Sequence, residues 1–425
     1  MSPNTVTYTI EFVNKIDKAL IGNGVYVLQK NASEVIFYDT YVMDDEWTDM
    51  NPDTVVQEPQ QYLLDDDYLV VLSQFDGIPE ILAYDADKKT LLLDIKIEEA
   101  KSSSAKLLQV ADDVLYISVV NQESGISIYR ISLEDGSREE IYNISSPYYI
   151  NQFCVSMTND YLTYVYRDKE KNLDRIGFYN VRSGETKLFD FPKDDPERIS
   201  VPVYYPELKE IVVSDKEDVF VINVESNDIK QLRLSSNWSG ANVVEHNKEG
   251  NRWIIADLTH VLVFDSDWNQ EMDLQTNGRA AVGAAFYKEG TSSEQILVVF
   301  DDGSFYRYDG ETGDFIGKTE VEMYYNTFKE ATLTIDEEQG LIFIQTGNIT
   351  DLLETESWVE VAVVWNSLGY HKPTDTFFAF SFTGAVDFHI GYFRHYTLQE
   401  LKDKAYRILK GSEMSEEQKM RYGIS

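Results

Sequence analysis

The segment DSDWNQE, residues 265–271, places oxygen donors at every second position: Asp265, Asp267, Asn269 and Glu271. That spacing imitates the opening of a calcium loop, in which alternate carboxylates and amides close around a hard cation. The glycine that such a loop needs at its sixth place and the bidentate glutamate at its twelfth are both missing. Asp and Asn also favour turns for their own local hydrogen bonds, so a hairpin turn is the stronger reading and calcium the minor one. The five histidines, His246, His260, His371, His389 and His395, show no helical zinc spacing and have no cysteine partners. His389 and His395 lie six apart and would share one face of a strand, as ordinary strand residues do. Cys154, the one cysteine, sits in the apolar stretch NQFCVSM and reads as a buried structural thiol. Nucleophile-elbow, P-loop and dinucleotide-binding glycine patterns are absent, and the expectation is a protein without catalytic residues or cofactor.

The elements that carry these residues repeat. A β-rich run ends in an aromatic and then Asp or Asn, a polar turn follows, and a second β-rich run begins, as in ILAYDADKKTLLLDI and VLVFDSDWNQEMDL. Taking the Asp-type residue as marker gives Asp39, Asp85, Arg130, Asn180, Asn223, Asp265, Asp309 and Asp351, spaced by 46, 45, 50, 43, 42, 44 and 42 residues. The mean of about 45 is the length of one four-stranded propeller blade. Before most copies lies another short apolar run, such as YLVVLSQ, RWIIAD or LIFIQ. Its continuous apolar character is that of an inner strand covered on both faces. Each period therefore predicts a weak first strand, an apolar second strand and the repeating hairpin.

The fold class predicted is all-β: a single propeller over residues 1–396, with eight blades expected and seven or nine as alternatives. Bare edges would invite pairing between molecules. Surplus strand material at both ends, TVTYTIEFV and the region LGYHKPTDTFFAFSFTGAVDFHIGYFRHY, supplies a composite blade that closes the ring. Part of residues 1–57 is expected to serve that closing blade.

Residues 397–425 read differently. Thr397 with Glu400 forms a capping box, and Leu398, Leu401, Ala405, Ile408 and Leu409 fall on one helical side up to Gly411. Ser415 and Gln418 open a second, shorter helix. The expectation is a helical extension packed on the propeller.

The runs HIGYFRHYTLQELKDKAYRIL and SEEQKMRYGIS resemble the carboxyl-terminal signature of WD40-like propellers in large bacterial multidomain proteins, in which a TIR-type effector or a STAND-type NTPase precedes the propeller. The resemblance covers about forty residues by motif and the rest by period alone. It implies a sensor or interaction platform with catalysis elsewhere. The WD and GH dipeptides of a standard WD40 repeat, the Asp-box of sialidases and a tryptophan in every blade are not found.

Composition bounds the partners. The chain has 74 acidic against 37 basic residues, a net charge of -37. Such a field repels phosphate backbones and anionic lipid, so nucleic acid and membrane surfaces are poor partners. With one cysteine and no run of about 18 apolar residues, the chain reads as soluble and cytoplasmic. The function expected is recognition of a protein or small-molecule ligand on one propeller face. The alternatives are a carbohydrate-acting propeller enzyme, for which the aromatic content of 13% could serve sugar stacking, and a constitutive structural subunit.

Overall fold

In the computed structural model, the described residues are 19–22, 25–29, 35–38, 48–50, 56, 59–98 except 76, 105–121, 125–144, 154–193 except 169–170, 196, 199–233, 243–321 except 258, 330–382 and 388–394. They form eight four-stranded antiparallel sheets and one three-stranded sheet. The eight are blades of one ring, so the chain is an eight-bladed β-propeller. Blades 1 to 7 each use consecutive strands, beginning at Pro59, Ala105, Val155, Val203, Val243, Ala281 and Thr332.

Blade 8 is composite. Its first three strands are Ser367–His371, Thr376–Phe382 and Phe388–Arg394, and its outermost is Thr48–Asp49 from near the amino end. The pairing continues beyond that strand, since the Met50 amide donates to Ile390 O (2.9 Å) and the Val56 amide to Phe388 O (2.8 Å). Closure by mixing the two ends is as the sequence predicts. Its details differ from the repeat count, because the copy marked by Asp39 belongs to no described blade. Its run Val35–Tyr38 is the last strand of the three-stranded sheet, with Ala19–Gly22 and Val25–Gln29. Eight is reached because the closing blade replaces that copy. The surplus strand TVTYTIEFV, His395 and the helical extension 397–425 lie outside the described residues.

The core is a ring of eight seams. One face of blade 1 sets Leu69 and Val71 against Phe378 and Ile390 of blade 8, while the other sets Val70 and Leu72 against Leu115 and Ile117 of blade 2. A cluster of this kind fills every interface between neighbouring blades. Second strands such as Tyr68–Phe75 are thus apolar on both faces through their middle because alternate side chains enter different seams. First strands of most neighbouring blades touch one another, which places them at the axis. Fourth strands form the rim, and Thr90–Lys96 alternates exposed and half-buried along its length. Register shifts interrupt the pairing of the fourth strand in blades 1, 2, 5, 6 and 7, bulges that make these outer edges poor templates for further strands.

At the last seam, His371 is buried and its Nε2 donates to Asp66 O of blade 1 (2.8 Å), while Nδ1 meets Thr374 Oγ1 (2.6 Å). Lys89 of blade 1 donates to the same Thr374 hydroxyl (2.8 Å) and lies over the Phe378 ring of blade 8 at 4.8 Å. The polar clasp and the apolar seam together hold the two chain ends in one sheet.

Val56 is fully buried in that seam. Val56→Asp puts an unpaired carboxylate there and is expected to lower stability by about 3 kcal/mol or more. Denaturant midpoints measure the loss, and size-exclusion chromatography is expected to show self-association through the opened edge.

Candidate functional site

The strand order gives the ring two unlike faces. One carries the turns from first to second and from third to fourth strands, and is called here the turn face. The other, the loop face, carries the turns from second to third strands and the connections between blades.

The recurring Asp or Asn is a structural part of the turn face. Asn180 Oδ1 accepts the amides of Arg182 (2.9 Å) and Ser183 (3.1 Å), and Asn223 and Asp309 do the same for residues two and three further on. The turn closes on a residue with positive φ, such as Gly184 (71°), Asn227 (63°) or Gly313 (73°). Two sequence markers are corrected by this geometry. In blade 2 the capping residue is Ser132, whose Oγ accepts from Glu134 and Asp135, whereas Arg130 lies within a strand and pairs with Glu139. In blade 7 the turn starts at Glu354, whose carbonyl accepts the Trp358 amide (2.7 Å), whereas Asp351 is buried inside the strand. The corrected slots, 85, 132, 180, 223, 265, 309 and 354, are spaced by 47, 48, 43, 42, 44 and 45 residues.

The calcium candidate is one of these turns. Asp265 Oδ1 accepts the amides of Asp267 (2.9 Å) and Asn269 (2.8 Å), and Asn269 Nδ2 donates to Asp265 Oδ2 (2.9 Å). The hydrogen bonds from Asn269 hold the Asp265 carboxyl below its ordinary value. Glu271 turns away to Arg252 (3.0 Å), so the four residues do not converge. Among the described residues, no three His, Cys, Asp or Glu side chains form a group that could hold a metal. Cys154 is buried with Sγ 3.8 Å from Ile199 O, and burial pushes its thiol up.

On the loop face, blades 4 to 6 bring charged and polar groups together in an arc. Lys193 Nζ lies 2.7 Å from both Asp215 and Glu217, and 4.0 Å from Asp218. Burial alone would lower the lysine, but the two nearer carboxylates outweigh it and hold the ammonium above its ordinary value. In blade 5, buried Asp257 accepts the amides of Thr259 (2.7 Å) and His260 (2.6 Å), and lies 3.1 Å from His260 Nδ1. In blade 6, Arg279 Nε lies 2.6 Å from Asp302, a contact that raises the guanidinium. Thr276 Oγ1 donates to Thr259 O (2.8 Å) and ties the last two together. Each group caps a turn or joins an ion pair, and the arc offers polar, hydrogen-bonding surface. The sequence analysis missed it, because the residues come from separate turns with no common spacing; the short runs SDKED and FDDGS were the available signal.

A second group lies where the first strand of blade 5 reaches the turn face. Glu245 and His246 are exposed there, with Tyr205 of blade 4 edge-on to His246 (5.1 Å) and to Trp253 (4.6 Å). Glu245 is open to solvent along the axis yet hemmed in by protein, and burial pushes its carboxyl up to about 7.

No family model and no curated protein matches the chain. Among solved structures, it is similar to KlHsv2 with loop 6CD replaced by a Gly-Ser linker, at 11% identity and a TM-score of 0.49, covering 73% of this chain and 98% of that one. No helix among the described residues is long and apolar enough to cross a membrane.

Asp265→Ala is expected to lower the melting temperature equally in calcium and in chelator, and Asp265→Asn, which keeps the turn acceptor, to restore most of it; thermal unfolding in both buffers is the check. A raised carboxyl binds its proton more tightly in the folded state, so stability falls as pH rises from the ordinary 4.5 to about 7 and is level above that. Glu245→Gln removes that fall, and denaturant midpoints at pH 5 and pH 8 measure it.

Proposed function

We propose that the chain is a non-catalytic recognition propeller that binds a protein or small ligand on its loop face and reports to an effector. The observation that carries this reading is the contrast between the third-to-fourth turns and the connections between blades. Turns from third to fourth strands in blades 1 to 7 are all four or five residues, as from Asp85 to Thr90 or Asp309 to Phe315. Connections between blades run from one residue, between Trp365 and Ser367, to twelve, between Asp190 and Val203. A scaffold repeats where packing dictates the chain and varies where binding does. The loop-face arc over blades 4 to 6, with hydrogen-bonding groups from three blades, supports the same assignment.

The tail's resemblance supports the finer part of the proposal: a cytoplasmic bacterial signalling or defence protein, with a TIR-type or NTPase effector on the same chain or a separate one. The charge of -37 makes nucleic acid and anionic membrane poor ligands.

The test is capture of partners from the native cells with three baits: wild type, a loop-face variant (Arg279→Ala with His260→Ala) and a turn-face variant (Asp267→Ala with Glu311→Ala). A partner held by wild type and the turn-face variant but lost by the loop-face variant is expected. Loss with the turn-face variant alone would move the site to the other face, and turnover of a carbohydrate by wild type would replace recognition with catalysis.

A further inference from the structure

Arg307, on the third strand of blade 6 (Ser304–Asp309), stands apart in a chain with 74 acidic residues. Arg130, Arg167, Arg175, Arg182, Arg252 and Arg279 each hold a carboxylate. Among the described residues Arg307 has none. Its Nε is buried without a hydrogen-bond partner. The guanidinium lies 4.1 Å from the ring centroid of Trp358, which stands in the third-to-fourth turn of blade 7. Phe305 and Tyr287 back that ring at 6.2 and 5.6 Å. Thr319 Oγ1 donates to Trp358 O (2.7 Å) and fixes the turn against blade 6.

Room for the guanidinium itself is left by Gly317, paired with Arg307 across the sheet: a Cβ there would stand 2.4 Å from Nη2. Burial pushes the guanidinium down from its ordinary value, as happens when charge is sunk without an anion. A desolvated charge is costly unless paired, and a guanidinium fork matches a planar carboxylate through two parallel hydrogen bonds.

We infer that the rim of the seam between blades 6 and 7 is a site for a single carboxylate, with Arg307 as its receptor, lying across Gly317, and Trp358 as its floor. A monoanion suits it better than phosphate, because the field of the acidic chain opposes the second negative charge as strongly as the first. The site lies at the rim, away from the loop-face arc, and does not depend on the recognition reading.

The test follows the indole N–H signal of Trp358 by NMR at constant ionic strength. The chain has six tryptophans, and Trp358→Phe assigns the signal. The probes are acetate, a blocked dipeptide whose only carboxylate is an aspartate side chain, another whose only carboxylate is the chain terminus, and inorganic phosphate. Saturable shifts with the carboxylates are expected at millimolar concentration, weaker ones with phosphate, and the tighter dipeptide identifies the source. Arg307→Gln is expected to weaken binding by about tenfold or more. Should that variant unfold, Arg307→Lys keeps the charge without the fork and is expected to bind more weakly than wild type. No saturable shift in wild type, an equal response to chloride, or affinity unchanged in the folded variant would overturn the site.

Discussion

A sheet apolar on both faces cannot end in water; it needs a neighbour on each side, and so does that neighbour. Second strands such as Tyr68–Phe75 and Gln295–Phe300 impose this condition in every blade, and a closed ring meets it without leaving a bare face. Other features follow from that closure. The two ends of the chain share one blade, and the fourth strands form the outer edges of the blades, interrupted by bulges in blades 1, 2, 5, 6 and 7. Blade 8 is where the condition is hardest to meet, because residues 48–56 and 388–394 come from opposite ends of the chain. There the apolar seam of Val56, Phe378 and Ile390 is backed by the His371 and Lys89 contacts.

Closure also separates the roles of the two faces. On the turn face the third-to-fourth turns of blades 2 to 6 are held by a short-range device, a side-chain oxygen capping two amides and a residue at positive φ. Such turns have little freedom to change length without losing register. The loop face carries the connections between blades, and these are of very different length. Charged side chains on that face are held in pairs, as in Lys193 with Asp215 and Arg279 with Asp302, which fixes their positions.

Arg130, Arg167, Arg175, Arg182, Arg252 and Arg279 each hold a carboxylate, and Arg307 is set apart by its surroundings. The aromatic floor of Trp358 and the missing side chain at Gly317 support the guanidinium without neutralising it. Glu245 is the converse case, an acid on an inner strand whose charge is discouraged by burial.

The all-β class, the period near 45 residues and the need for closure were legible in the sequence, because apolar runs and turn residues record local geometry directly. The role of Asp265 in a turn was legible for the same reason, since its partners lie within four residues. Two markers were misplaced, at Arg130 and Asp351, because an aromatic-then-polar pattern does not reveal which oxygen caps the turn; Ser132 and Glu354 are identified only by their hydrogen bonds. The place of the Asp39 copy, the loop-face arc and the Arg307 seam were not legible at all. They depend on contacts between residues one or more blades apart, such as Arg307 with Trp358, and no local pattern encodes which side chains the ring will bring together. Sequence alone determined the repeating unit, whose stability is local; the tertiary structure decided which copy joins the ring and which charges lack partners, because those are set by the packing of one blade against the next.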